Sequence, residues 1–352
     1  MSIDVPFLAK VCEVPGAPGF EKAIRELVID QLDGLCDEFS VDHMGNVVAL
    51  KKGRSEEMVS MAAAHMDEIG FIVTHIDDNG FVRFNPLGGF DPKTLTAQRV
   101  IVHGKKDLIG VMGCKPIHIM EPEERGKNLK LKDYFIDLGM DKEQVAEFVE
   151  VGNPITRRSE LLEIGDCVNV KSLDNRVSVF LLLEVLRKMK EEKLTPAYDF
   201  YASFTVQEEV GLRGAQVSAL AIQPDFSFGL DTTIAYDTPG SQPQERCTSM
   251  GKGAAIKIMD SSTICDYRMV AYMKEVAGKH EIDWQPEILA AGGTDTASLQ
   301  RMVPGGSIAG AVSIPTRHIH QSIEMASKTD IAAGIDLLTA CLCELDGYDW
   351  SF

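Results

Sequence analysis

A chain of 352 residues with 45% hydrophobic and 25% charged residues has the composition of a folded globular protein. Its length suits two domains, or one large domain with an insertion. A net charge of -18 argues against nucleic acid and anionic membrane surfaces as partners, because both repel an acidic protein.

The opening stretch MSIDVPFLAK lacks a basic segment followed by an apolar one, so no secretion signal is expected. The longest apolar run, VSVFLLLEVL, is about half a membrane span and carries Glu184. The expectation is a soluble, cytoplasmic protein. Eight cysteines without CxxC spacing suggest reduced thiols rather than a zinc-thiolate site or a disulfide framework.

In chain order, FEKAIRELVIDQL (20 to 32) has helical apolar spacing, and NVVAL (46 to 50) and MVSMAAAH (58 to 65) read as short buried strands. Between residues 69 and 165 short strands and Gly or Asn turns dominate, with Asp78-Asn79-Gly80 as the clearest hairpin signal. From residue 173 helices and strands alternate. NRVSVFLLLEVLRKMKEEK is a helix, AYDFYASFT a strand, 213 to 220 a helix and DFSFGLD a strand. GAAIKIMD, a helix over 262 to 278, a helix after Gly293, the strand SIAGAVSI and a helix from about 329 complete the series. Alternation of this kind predicts an α/β fold with helices on both faces of a sheet. The simplest organisation is a catalytic α/β domain made of residues 1–68 and 166–352, interrupted by a β-rich domain at 69–165.

Chemistry concentrates where apolar runs end. AAAHMDEIG delivers His65 and Asp67 to a strand exit, where open α/β sheets place ligand sites. SLDNR sets Asp174 ahead of a long apolar helix, where it could equally be an N-cap. AYDFYASFT ends at the adjacent pair Glu208 and Glu209, DFSFGLD closes on Asp231, and SIAGAVSI leads to His318 and His320 in SIPTRHIHQS. Any one of these could be a solvated loop residue or a satisfied core residue. Their recurrence at several separate apolar exits favours a common purpose.

Two histidines, three carboxylates and one spare glutamate meet the needs of a two-metal hydrolase. One carboxylate bridges the cations, each cation takes a histidine and a carboxylate of its own, and the spare glutamate accepts a proton from water. Imidazole with carboxylate suits zinc, cobalt or manganese better than calcium. In an extended segment His318 and His320 would point to the same side, so periodicity leaves both open as ligands. Paired carboxylates also serve sugar hydrolysis, but there they flank the bond at roughly 5 to 9 Å and seldom need histidines.

AAHMDEIGF, LDNR, VQEEVGLRGA, GLD, AGGTD and PTRHIHQ, with APGFE and DHMGNVVA earlier, together resemble the motifs of the tetrahedral di-metal aminopeptidases, also called deblocking or glutamyl aminopeptidases. The resemblance implies a mixed-sheet α/β/α zinc-exopeptidase-like catalytic domain with an inserted small β-barrel-like dimerisation domain. It implies a peptide hydrolase that removes N-terminal residues from short peptides, with two divalent metal ions per subunit, zinc first and cobalt or manganese as alternatives. By the resemblance His65 and Asp231 hold one metal, Glu209 and His320 the other, and Asp174 bridges them. Glu208 is the general base and Asp67 orients His65. The family places its ligand histidine three residues after an arginine, which from Arg317 selects His320. His318 then joins Gly293, Thr294 and Asp295 at the substrate pocket. Dimers would assemble into a tetrahedral dodecamer. Other readings are a carboxypeptidase or deacylase on the same metal pair, and a metal-binding scaffold without turnover.

Overall fold

The computed structural model describes residues 3–352. Helix α1 (Val5–Glu13) starts where the Asp4 side chain accepts the Phe7 N–H at 3.0 Å and Pro6 occupies the first turn. It turns Leu8, Val11 and Cys12 inward. α2 (Lys22–Gln31) follows, then strands β1 (Glu38–Val41), β2 (Val47–Lys51) and β3 (Ser55–His65).

The chain then leaves for a closed barrel of β4 (Gly70–Ile76), β5 (Val82–Leu87), β6 (Arg99–His103), β7 (Asp107–Gly113), β8 (Phe135–Asp137) and β9 (Pro154–Arg157), in the order β4-β5-β8-β7-β6-β9. The β4–β5 hairpin turns where expected. Asp77 accepts the N–H groups of Asn79 and Phe81, and Gly80 takes the positive φ that a side chain resists. Short helices α3 (Pro122–Arg125) and α4 (Lys142–Phe148) lie between barrel strands. Phe71, Val82, Val100, Tyr134, Ile136 and Ile155 fill the barrel.

β10 (Leu162–Ile164) pairs with β11 (Cys167–Val170) in the large sheet, so the barrel strands end at Arg157, ahead of the expected boundary at residue 165. The remainder is α5 (Leu173–Glu191), β12 (Tyr198–Thr205), α6 (Arg213–Ile222), β13 (Phe226–Ile234), β14 (Ala254–Met259), α7 (Tyr267–Lys279), β15 (Trp284–Ile288), α8 (Thr296–Arg301), β16 (Ile308–Arg317), β17 (Glu324–Ser327) and α9 (Lys328–Glu344). Helix α7 begins at Tyr267 rather than near residue 262. Asp260 accepts the N–H groups of Ser262 and Thr263, which makes that stretch a turn, and Asp266 caps the helix through the Arg268 N–H.

The sheet has 11 strands, with the central path β1-β2-β12-β3-β13-β16-β17-β11-β10 and β14 and β15 branching from β16. β12, β3, β13 and β16 run parallel, while β2, β14 and β17 are antiparallel to their neighbours on this path. One face packs Ala62, Ala64, Phe200 and Phe204 under α1, α5, α7 and α9. The alternate residues Met61 and Ala63 face α6 and α8, as the two-residue period of a strand requires. The result is an α/β/α sandwich around a mixed sheet, with the barrel inserted after β3. No helix among the described residues is long and apolar enough to cross a membrane.

Candidate active site

The parallel centre of the sheet opens a crevice at its carboxyl edge. β3 pairs with β12 as far as His65 and Thr205, but with β13 only as far as Ala63 and Gly229. Beyond that point β13 stays on β16 alone, so Asp231 lies inside its strand, facing a gap rather than a neighbour. Such gaps at the carboxyl ends of strands are where open α/β sheets bind ligands.

The gap gathers the expected donors. His65 Nε2 lies 3.4 Å from Asp174 Oδ1, 3.7 Å from Glu208 Oε2 and 3.8 Å from Asp231 Oδ1. His320 Nε2 lies 3.4 Å from Asp174 Oδ2 and 3.4 Å from Glu209 Oε2. Two donor sets result, His65 with Asp174 and Asp231, and Asp174 with Glu209 and His320, each with its ligand atoms within 4.8 Å of one another. Asp174 belongs to both. The helix is interrupted at its start, with non-helical φ and ψ at Asp174 and Asn175, and the two Asp174 oxygens face the two imidazoles.

The donor chemistry fits metal. Donors about 2 Å from a zinc-like ion stand only a few ångströms apart from each other. Glu209 Oε1 is buried without a hydrogen-bond partner, which is costly unless something positive meets it. His65 Nδ1 lies 3.1 Å from the carbonyl oxygen of Asp67. A carbonyl only accepts, so Nδ1 carries a proton in that contact, and Nε2 is the ring atom that faces the carboxylates of the gap.

Backbone anchoring holds these side chains. The loop after β12 turns at Gln207, whose φ is 55°. Asp67 accepts the N–H of Glu208 at 3.0 Å and of Glu209 at 3.1 Å, and Glu21 accepts the N–H of Gln207 at 3.2 Å. The Asp67 carboxylate is thus committed to the glutamate pair and stands 3.5 Å from His65 Nδ1, farther than its own carbonyl. Glu324, at the start of β17, accepts the N–H of Asp174 and of His320, both at 2.9 Å. Arg157 of β9 stands 3.9 Å from Glu324, which ties the barrel to the site. Glu68 grips Lys171 at 2.7 Å beneath the turn that follows β3.

Burial pushes the Glu208 carboxyl well above the usual carboxylate range; His65 opposes this, and Asp231, Asp295 and Glu209 reinforce it. Burial works the same way on Asp174, but its hydrogen bonds to His320 and His65 outweigh it and hold that carboxyl low.

The donors line one end of a cavity of about 700 Å³ that Gly89, Ile234, Lys257, Asp260, Leu289 and Ile319 also enclose. Gly293 and Thr294 lie on its wall as expected, but two other expected wall residues do not. Asp295 sits behind the wall, where its Oδ2 accepts the Thr205 hydroxyl at 2.6 Å. His318 is exposed and Ile319 lines the cavity in its place, because β16 ends at Arg317 and the following segment is a turn rather than extended chain.

The profile of the M42 glutamyl aminopeptidases matches residues 45–337. The chain belongs to this family. It is also 32% identical over 363 residues to the lysyl aminopeptidase of Pyrococcus furiosus, with 99% of each chain covered. A TET aminopeptidase from a marine sediment Thaumarchaeota archaeon superposes with a TM-score of 0.94 at 35% identity, covering 97% of this chain and 96% of the other. The Pyrococcus horikoshii TET1 peptidase, which can assemble into a tetrahedron or a large octahedral shell, gives 0.86 at 30% identity over 97% and 99% of the two chains. The M42 chain is accordingly an aminopeptidase, an exopeptidase rather than an inert metal scaffold, and its sandwich with inserted barrel is the TET aminopeptidase fold.

Proposed function

We propose that this aminopeptidase is metal-dependent and removes N-terminal residues from short peptides, with Glu208 as general base. The observation that carries the reading is the pair of donor sets sharing Asp174, with Glu208 3.7 Å from His65 and a member of neither. His65, Asp231 and Asp174 would hold one divalent cation, and Glu209, His320 and Asp174 a second, zinc-like given the imidazole and carboxylate donors, with cobalt or manganese as alternatives. Such cations supply Lewis acidity toward the scissile carbonyl and lower the pKa of a nearby water. Glu208 takes the proton from the attacking water and returns it to the departing amine. Asp67 and Glu21 hold the loop that aims it.

Glu208→Gln keeps shape and burial but removes the base. The variant should keep the metal content of the native enzyme by elemental analysis and lose roughly 100-fold to 10,000-fold in kcat on an aminoacyl anilide. Near-native turnover in a fully metallated Glu208→Gln enzyme would sink the role given to Glu208. Activity that survives exhaustive chelation would sink the metal dependence.

A further inference from the structure

Beyond the donors, the cavity wall offers a candidate for substrate choice. Its exposed lining is apolar or small, from Ile234, Leu289, Ile319 and the glycine pair of the 291–294 turn. Lys257 of β14 is the one lysine or arginine among the lining residues, and it is only 1% exposed. Its ammonium lies 3.0 Å from Asp260 and 3.0 Å from Glu287. Asp260 spends its other oxygen on the N–H groups of Ser262 and Thr263, and Glu287 also accepts the Thr233 hydroxyl at 2.8 Å. The cation is therefore locked by two carboxylates before any substrate arrives.

The N-terminal residue of a substrate must bring its carbonyl to the donor end near Glu208, which leaves its side chain against this wall. An acidic side chain would meet no free cation there and would be desolvated without a partner. A basic one would meet Asp260, whose oxygens are already taken. Burying an unpaired charge is the strong form of discrimination in such a pocket, whereas an apolar side chain loses nothing.

We propose that the Asp260–Lys257–Glu287 triad leaves the cavity wall without a free ionic partner and makes this enzyme select uncharged, apolar N-terminal residues over acidic or basic ones. The proposal rests on the aminopeptidase reading of the same site and names the side chain it takes. It places this chain apart both from the glutamyl preference in its family's description and from the lysyl preference in the name of its Pyrococcus furiosus relative.

The metal-loaded native enzyme is assayed on the p-nitroanilides of leucine, glutamate and lysine. The leucine compound should exceed both others by at least about tenfold in kcat/KM. A glutamate or lysine compound cleaved as well as or better than leucine overturns the proposal. The role of the clamp is tested with Glu287→Gln, a residue that does not line the cavity. Releasing half of the clamp should raise the glutamate-to-leucine ratio by about tenfold, and an unchanged ratio in a folded, metallated variant overturns the role of the triad. Lys257→Met should instead raise the lysine-to-leucine ratio, because two carboxylates lose their cation; no rise in a folded variant counts against the triad in the same way. Should both variants misfold, the native panel still decides the preference. Insensitivity to chelators would overturn the metal reading while leaving the order of the three substrates readable.

Discussion

At the scale of single residues, the two histidines of RHIH separate cleanly. Both adopt positive φ, 62° at His318 and 64° at His320, so the alternation that would aim them together in a strand does not apply. His320→Ala should lose one equivalent of metal per subunit and most activity, and His318→Ala should keep its metal and near-native kcat. Elemental analysis with a single-substrate assay checks both, and the reverse pattern would move the ligand to His318. Glu324 matters through what it holds. Its two oxygens hold the backbone of the shared carboxylate and of the second histidine. Glu324→Ala leaves the buried N–H of Asp174 unpaired, a loss of about 1–3 kcal/mol in stability, and frees the part-buried N–H of His320. Metal affinity should drop about 10-fold to 100-fold, as for other supports of ligands. Glu324→Gln, which keeps one oxygen acceptor, should lose less. Equal metal affinity in a folded Glu324→Ala protein would show that the donors hold themselves.

At the scale of elements, the donors were legible in the sequence for a physical reason. An apolar run that ends on His65, on Glu208 and Glu209, or on Asp231 spends buried backbone to deliver a polar group, and only a partner justifies that. The alternation after residue 173 likewise predicted the sheet. Two of the supports were not legible. Glu324 opens the short strand EMAS, and Glu21 stands at the head of an ordinary amphipathic helix. Both look like solvated acids until the chain brings backbone N–H groups from more than a hundred residues away onto them. Helix α1 and strand β1 escaped for a different reason, since one is short and the other is exposed throughout. The loop after β12 shows what such supports do. Three successive N–H groups, of Gln207, Glu208 and Glu209, end on Glu21 and Asp67. Glu21→Ala should therefore lower kcat by roughly tenfold or more with little change in KM, because displacements of about 1 Å at a reacting group are that costly. Glu21→Gln, whose amide oxygen can still accept, should recover much of the rate. Equal losses in both would mean that the charge of Glu21, not its grip on the loop, is what matters.

At the scale of the whole molecule, the question is what the barrel is for. Strand β7 alternates strictly, with Leu108, Gly110 and Met112 inward and Ile109 and Val111 outward, 55% and 47% exposed. Ile117 and Ile119, after β7, are exposed as well, at 59% and 65%. Exposed apolar side chains on a chain of net charge -18 pair with another copy only if their burial outweighs the repulsion between copies. The pairing of subunits expected of the barrel from the sequence resemblance can be tested on these side chains. Deleting the barrel would be a poor test, because Arg157 on β9 stands against Glu324 and its loss would disturb the metal site together with any interface. Substituting the outer side chains avoids that confusion, since Ile109 and Val111 point away from the barrel core. The double variant Ile109→Glu with Val111→Glu should stay folded, keep its metal, and sediment in a smaller mass class than the native protein. An unchanged sedimentation coefficient in the folded variant would place the interface elsewhere. Retained activity in the smaller species would show in addition that each subunit completes its own site, as expected when every donor and every support described here comes from one chain.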